Sequence, residues 1–108
     1  MSSPAAEDDP ATEITDRIGR TLHALMPADA TRIRALGDAG DEWARATLEF
    51  EDSTGIFVGF ALARLPAPEA RSITSAVLAL HRLMRDYDPW DSFVITVDRN
   101  GCVTVDYS

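Results

Sequence analysis

The chain contains a single cysteine, Cys102. No intrachain disulfide can form, and a thiol-lined metal site is excluded. Histidine is almost as scarce, with only His23 and His81. Neither has a histidine four residues on and neither lies in a His-Glu-x-x-His motif, so the spacing offers no zinc site. No serine sits in a Gly-x-Ser-x-Gly elbow. The nearest glycine pairs, Gly37/Gly40 and Gly55/Gly59, make no phosphate loop. The expectation is a protein without cofactor or metal and without enzymatic activity. Each histidine falls within a helical segment beside an apolar stripe and reads as a half-exposed helix histidine. Cys102, with Arg99 as its one nearby cation, reads as a small strand residue. Proton transfer between paired carboxylates is the catalytic alternative, and it requires environments that split their pKa values.

Basic residues are also few: 10 against 18 acidic ones, a net charge of −8. That sign opposes binding to nucleic acid, whose affinity comes mainly from cations meeting phosphates, and it opposes an anionic membrane. It favours a basic protein partner, whose approach an acidic surface would steer; acidity serving solubility alone is the plain alternative. No apolar run is long enough to span a bilayer. The acidic N-terminus does not resemble a signal peptide, so a cytoplasmic protein is expected. The 108 residues, 45% of them hydrophobic, suit one domain with one modest core.

Residues 1–11 read as a flexible acidic leader carrying Glu7, Asp8 and Asp9. Residues 12–108 read as one α+β domain. A helix is expected from an N-cap at Thr12, with Ile14, Ile18, Leu22 and Leu25 on one stripe and Pro27 as the stop. Thr31–Leu36 reads as a short first strand, followed by a loop over Gly37–Asp41. Trp43–Glu51 alternates, with Ala44, Ala46, Leu48 and Phe50 opposite Arg45, Thr47 and Glu49. Asp52-Ser53-Thr54-Gly55 is a turn. Ile56–Leu62 is apolar on both faces, which predicts a central strand. After the Leu65–Pro68 linker, Ile73, Val77, Leu80 and Met84 mark a second helix, flanked by Ala76, Leu83 and Tyr87. The ending is a hairpin, Phe93–Val97 and Val103–Tyr107, turning at Asp98-Arg99-Asn100-Gly101. The prediction is a single antiparallel sheet of about five strands with two helices packed on one face, in the order α-β-β-β-α-β-β.

Two acidic groups stand out. Asp86, Asp88 and Asp91 surround Trp90 between the second helix and the hairpin. Glu49, Glu51 and Asp52 lie along and after the second strand. Trp90 reads either as an interface anchor or as core packing, and Trp43 carries the same two readings.

The segment Asp88-Pro89-Trp90-Asp91-Ser92, through the strand Phe93–Val97, the turn Asp98–Gly101 and the strand ending in Asp106-Tyr107, resembles the closing signature of YezG-like immunity proteins. The upstream layout is similar too: a helix ending at a proline, three strands, and a long helix with arginines near its end. The resemblance implies an immunity (antitoxin) protein of a bacterial polymorphic toxin system, which binds a cognate toxin domain, often a nuclease, and blocks its active site. It marks Trp90, Asp106 and Tyr107 as signature positions. Under this reading Glu49, Glu51, Asp52, Asp86, Asp88, Trp90, Asp91 and Asp106 are the candidate contacts, the partner is a basic protein toxin, and the free protein is a monomer or weak dimer. The same element order is similar to that of acidic secretion chaperones, so a small chaperone or adaptor is the alternative.

Overall fold

Phe93, Ile95 and Val97 alternate with Val94 and Thr96, and this alternation decides which way the sheet faces. The computed structural model describes residues 10–59, 67–86 and 88–108. In chain order its elements are α1 (Pro10–Leu25), β1 (Arg32–Ala39), β2 (Ala44–Glu51), β3 (Phe57–Gly59), α2 (Ala67–Met84), β4 (Ser92–Asp98) and β5 (Val103–Tyr107). The strands form one sheet in the order β3-β2-β1-β4-β5, and every neighbouring pair is antiparallel. Both helices lie on one face, α1 against β4 and β1, α2 against β2 and β1. This is the α+β architecture expected from the sequence.

The register sorts the side chains. Ile33 faces Phe50 and Val97, and Ala35 faces Leu48 and Ile95; Ile33, Ala35, Leu48, Ile95 and Val97 are buried. Ile18 and Leu22 of α1, with Ile73, Val77 and Leu80 of α2, close the core from above. Each such burial contributes about 1.5–3 kcal/mol of apolar transfer. The opposite face carries Arg32, Arg34, Leu36 and Asp38 on β1, and no described element covers it.

Several boundaries differ from expectation. The first helix starts at Pro10, not at Thr12. Proline suits a first turn, where no N–H is needed, so Thr12 lies inside the helix rather than capping it. Of the expected leader, residues 1–9 lie outside the described residues. The first strand runs on through Gly37, Asp38 and Ala39, which read as a loop by composition. A Cβ at position 37 would collide with the Arg45 carbonyl oxygen. The glycine is there because two strand backbones approach closely, not because the chain turns.

The third strand is a correction. Apolar residues on both faces predicted a central position, yet β3 is an edge strand, with Ile56 61% and Val58 41% exposed. Phe57 lies on the uncovered face, its ring centroid 3.8 Å from the Arg34 guanidinium carbon. An apolar side chain on that face is accounted for by stacking on a cation, not by a second layer. Phe60, Ala61, Leu62, the linker residues Leu65 and Pro66, and Tyr87 lie outside the described residues.

The β2–β3 and β4–β5 connections are built alike. Asp98 Oδ1 accepts the N–H groups of Asn100 and Cys102, and Gly101 takes φ +87°. Asp52 Oδ1 accepts those of Thr54 and Ile56, and Gly55 takes φ +84°. In each, an aspartate three residues before a glycine fixes the turn.

Candidate protein-binding site

The antiparallel register places Arg32 opposite Glu51 and Arg34 opposite Glu49. Glu51 accepts from Arg32 Nε at 2.9 Å and Nη2 at 2.6 Å, and from the Thr31 hydroxyl at 2.6 Å. These hydrogen bonds, Arg32 foremost and Thr31 next, lower its carboxyl from 4.5 to about 2. Glu49 accepts from Arg34 Nε at 2.6 Å. Asp52 is lowered as well, first by the Thr54 hydroxyl and then by backbone N–H groups of the turn. Glu49, Glu51 and Asp52 are therefore engaged in internal structure, and the uncovered face carries cross-strand ion pairs rather than an unbalanced negative field. Asp106 is exposed on the same face. It borders a shallow depression of about 300 Å³ that Arg32, Thr96, Asp98, Cys102 and Thr104 also line.

Trp90 requires a correction as a contact candidate. It is only 5% exposed. Its indole stacks on Tyr107 at 4.9 Å between centroids, meets Phe93 and His81 edge-on at 5.8 Å and 5.1 Å, and donates Nε1–H to Met84 Sδ at 3.3 Å. Trp90 closes the core where α2 runs into β4, so it presents no anchor to a partner. Tyr107 is half-buried against it, which gives both signature aromatics a packing role.

The exposed tryptophan is Trp43, at 49%. It ends the turn between β1 and β2, where Gly40 donates its N–H to the Trp43 carbonyl at 2.9 Å. Its indole lies against Gly40, where a Cβ would come within 2.5 Å of Nε1. Arg45 packs over the ring at 5.3 Å and pairs with Asp38 at 3.0 Å, which braces the indole from its own strand. The same end of the sheet holds Asp91, whose carbonyl accepts the Ala39 N–H at 2.9 Å. Asp91 thus lies at the end of β1 from which the turn carrying Asp41 and Glu42 departs, and Asp86 and Asp88 lie in the segment between α2 and Asp91. All five are exposed. Asp86 lies 3.6 Å from Arg85, while Glu42, Asp88 and Asp91 form no ion pair among the described residues. Arg82 is a further cation here, beside Arg45 and Arg85, and it donates Nε–H to the Asp41 carbonyl at 2.7 Å.

His81 also departs from expectation. Rather than being half-exposed, it is buried at 7%, and its Nδ1 has no hydrogen-bond partner among the described residues. Asp41 Oδ1 is the facing carboxylate, 3.9 Å away. The sequence held a signal for this: His81 follows Val77 by four and precedes Met84 by three, so it extends the buried stripe. Asp41 and Glu42 carried no such signal, because their nearness to Asp91 comes from β1–β4 pairing. The other histidine, His23, is exposed and hydrogen-bonds through Nε2 with the Arg99 carbonyl at 3.1 Å. Arg99 is directed to the carbonyls of Pro27, Ala28 and Ala30, so it does not serve Cys102. Among the described residues no group of three or more His, Cys, Asp or Glu could hold a metal ion, and no helix is long and apolar enough to cross a membrane.

The arrangement offers a sheet end with exposed carboxylates and the exposed aromatic Trp43, a combination suited to contact with a cationic protein surface. In comparison with known proteins, no family model and no curated protein matches the chain.

Proposed function

We propose that this chain is an immunity protein that binds a basic bacterial toxin domain, with a nuclease domain as the partner its charge suits best, and neutralises it by covering its active site. One observation carries the reading: Glu42, Asp88 and Asp91, exposed and without ion pairs among the described residues, lie in the turn and the segment next to exposed Trp43 and the end of β1, while Glu49, Glu51 and Asp52 are held by arginines or a turn. A cationic active site evolved to meet phosphates would be met instead by Asp41, Glu42, Asp88 and Asp91, with Trp43 supplying the area that loses water. The likeness of the closing hairpin to YezG-like proteins supports the same reading. Of the eight contacts expected from the sequence, Asp86, Asp88 and Asp91 stay in this surface and Trp43 takes the place of Trp90.

The test is co-expression with toxin domains encoded beside the gene. Rescue of growth together with a stable complex is the expected result. No rescue and no measurable binding would remove the reading.

A further inference from the structure

The outer edge of β5 is open, and its backbone decides what can close it. Asp98 donates its N–H to the Cys102 carbonyl, and Ser92 and Ser108 exchange both of their bonds, each at 3.0 Å. In an antiparallel ladder the even-numbered residues between face β4 in the same way, so the N–H and C=O groups of Val103 and Val105 point outwards. No described element pairs with that edge. Edge strands are ordinarily blunted by proline, lysine or a bulge. β5 contains neither proline nor lysine, and its register with β4 is unbroken from Val103 to Tyr107. We propose that a second copy of this chain closes the edge, β5 against β5 antiparallel about a two-fold axis at Thr104, and that Asp16 and Arg20 of the two α1 helices pair across it.

Charge selects a second copy over an unrelated strand. α1 presents Asp16, Arg20 and His23 to a depression of about 360 Å³ beside Val103. Asp16 and Arg20 stand one turn apart, are exposed, and form no ion pair among the described residues. A two-fold axis reverses the helix, which sets Asp16 of each copy towards Arg20 of the other, so the surface is complementary to itself. Gly19 brings α1 down onto β5, since a Cβ there would meet Val103 Cγ2 at 2.6 Å. At that point the two helices stand three strand spacings apart, about 14 Å, a gap that an arginine and an aspartate on facing helix surfaces span. The axis at Thr104 also suits the strands. On the helix side it opposes half-buried Val103 to Val105 of the other copy, each exchanging both backbone hydrogen bonds. On the uncovered face it opposes Thr104 to Thr104 and Asp106 to Cys102, so no like charges meet directly. The net charge of −8 on each copy works against the pair, so the dimer is a weak one.

Sedimentation of the full chain from about 5 to 500 µM reads the equilibrium. The expected result is a rise from monomer to dimer mass, with amide exchange at Val103 and Val105 slowing as the dimer forms and that at Thr104 and Asp106 slow throughout. Val105→Pro removes only an outward N–H, a place where an edge strand tolerates proline. It should abolish the dimer while Thr104 and Asp106 stay protected, which checks the fold. Asp16→Arg and Arg20→Asp should each weaken the dimer about tenfold, although the first lowers the net negative charge and the second raises it. The double variant keeps the parent's charge and should recover the parent's affinity. A chain that stays monomeric to the highest concentration overturns the proposal. So does a dimer without slowed exchange at Val103 and Val105, or an affinity that follows net charge instead of the Asp16–Arg20 swap.

Discussion

Trp90 and Trp43 show how far one residue type can diverge with environment. Trp90 is enclosed by Tyr107, Phe93, His81 and Met84, so Trp90→Ala should leave a cavity and cost about 3–5 kcal/mol in urea unfolding. Trp43→Ala should leave stability nearly unchanged, and iodide should quench Trp43 in preference to Trp90. Equal stability of the two variants would contradict this assignment. Glu51 gives a prediction in pH. Its folded carboxyl is held at about 2, below its ordinary 4.5, so the unfolded chain binds the proton first. The ion pair with Arg32 contributes its stability fully above about pH 4.5, and that contribution is lost as pH falls towards about 2. Thermal unfolding across this window should fall less steeply in Glu51→Gln than in the parent; superimposable profiles would show that the pair contributes nothing. Sequence alone left both tryptophans open because an aromatic at an element boundary satisfies packing and interface patterns equally. It also could not pair Glu51 with Arg32, because that contact depends on register between strands.

The elements themselves were largely legible. Apolar stripes in both helices, the alternation in Trp43–Glu51 and Phe93–Val97, and the two Asp-x-x-Gly turns are local signals, and each marks a real element. The misreadings are non-local. Gly37-Asp38-Ala39 has loop composition yet belongs to β1, because glycine there answers the backbone of β2. Ile56–Leu62 has the composition of a central strand, yet its described strand, Phe57–Gly59, forms an edge, because no local pattern records which strand lies next to which. Gly37→Ala tests the first of these. Its Cβ would meet a backbone carbonyl that cannot rotate away, so a loss on the order of 3 kcal/mol is expected. Gly59→Ala, whose Cβ meets nothing within 4 Å among the described residues, should change stability by no more than about 0.5 kcal/mol. Chemical denaturation of the two variants side by side checks the contrast, and equal losses would show that close strand approach is not what selects glycine at position 37.

Across the whole molecule, net charge alone pointed to a basic partner but not to a place on the surface. The fold supplies the place by separating two classes of carboxylate. Glu49 and Glu51 sit within reach of arginines on the uncovered face, so their fields are largely cancelled at distances beyond the pair. Glu42, Asp88 and Asp91 have no such partners among the described residues, and their fields extend to about one Debye length, roughly 10 Å at 0.1 M salt. Association with a basic partner should therefore be steered more by the second class than by the first. For the parent chain, the association rate with its partner toxin should fall about tenfold between 20 and 300 mM salt. Replacing Glu42 with Gln and Asp88 and Asp91 with Asn should lower the low-salt rate and flatten that dependence, while dissociation changes less. Replacing Glu49 and Glu51 with Gln should lower stability and flatten the slope less than the first set does, since the freed Arg32 and Arg34 lie away from the Trp43 end. Stopped-flow recording of Trp43 emission measures both rates. If the two sets of variants shift the salt slope equally, steering belongs to the net charge and not to the Trp43 end.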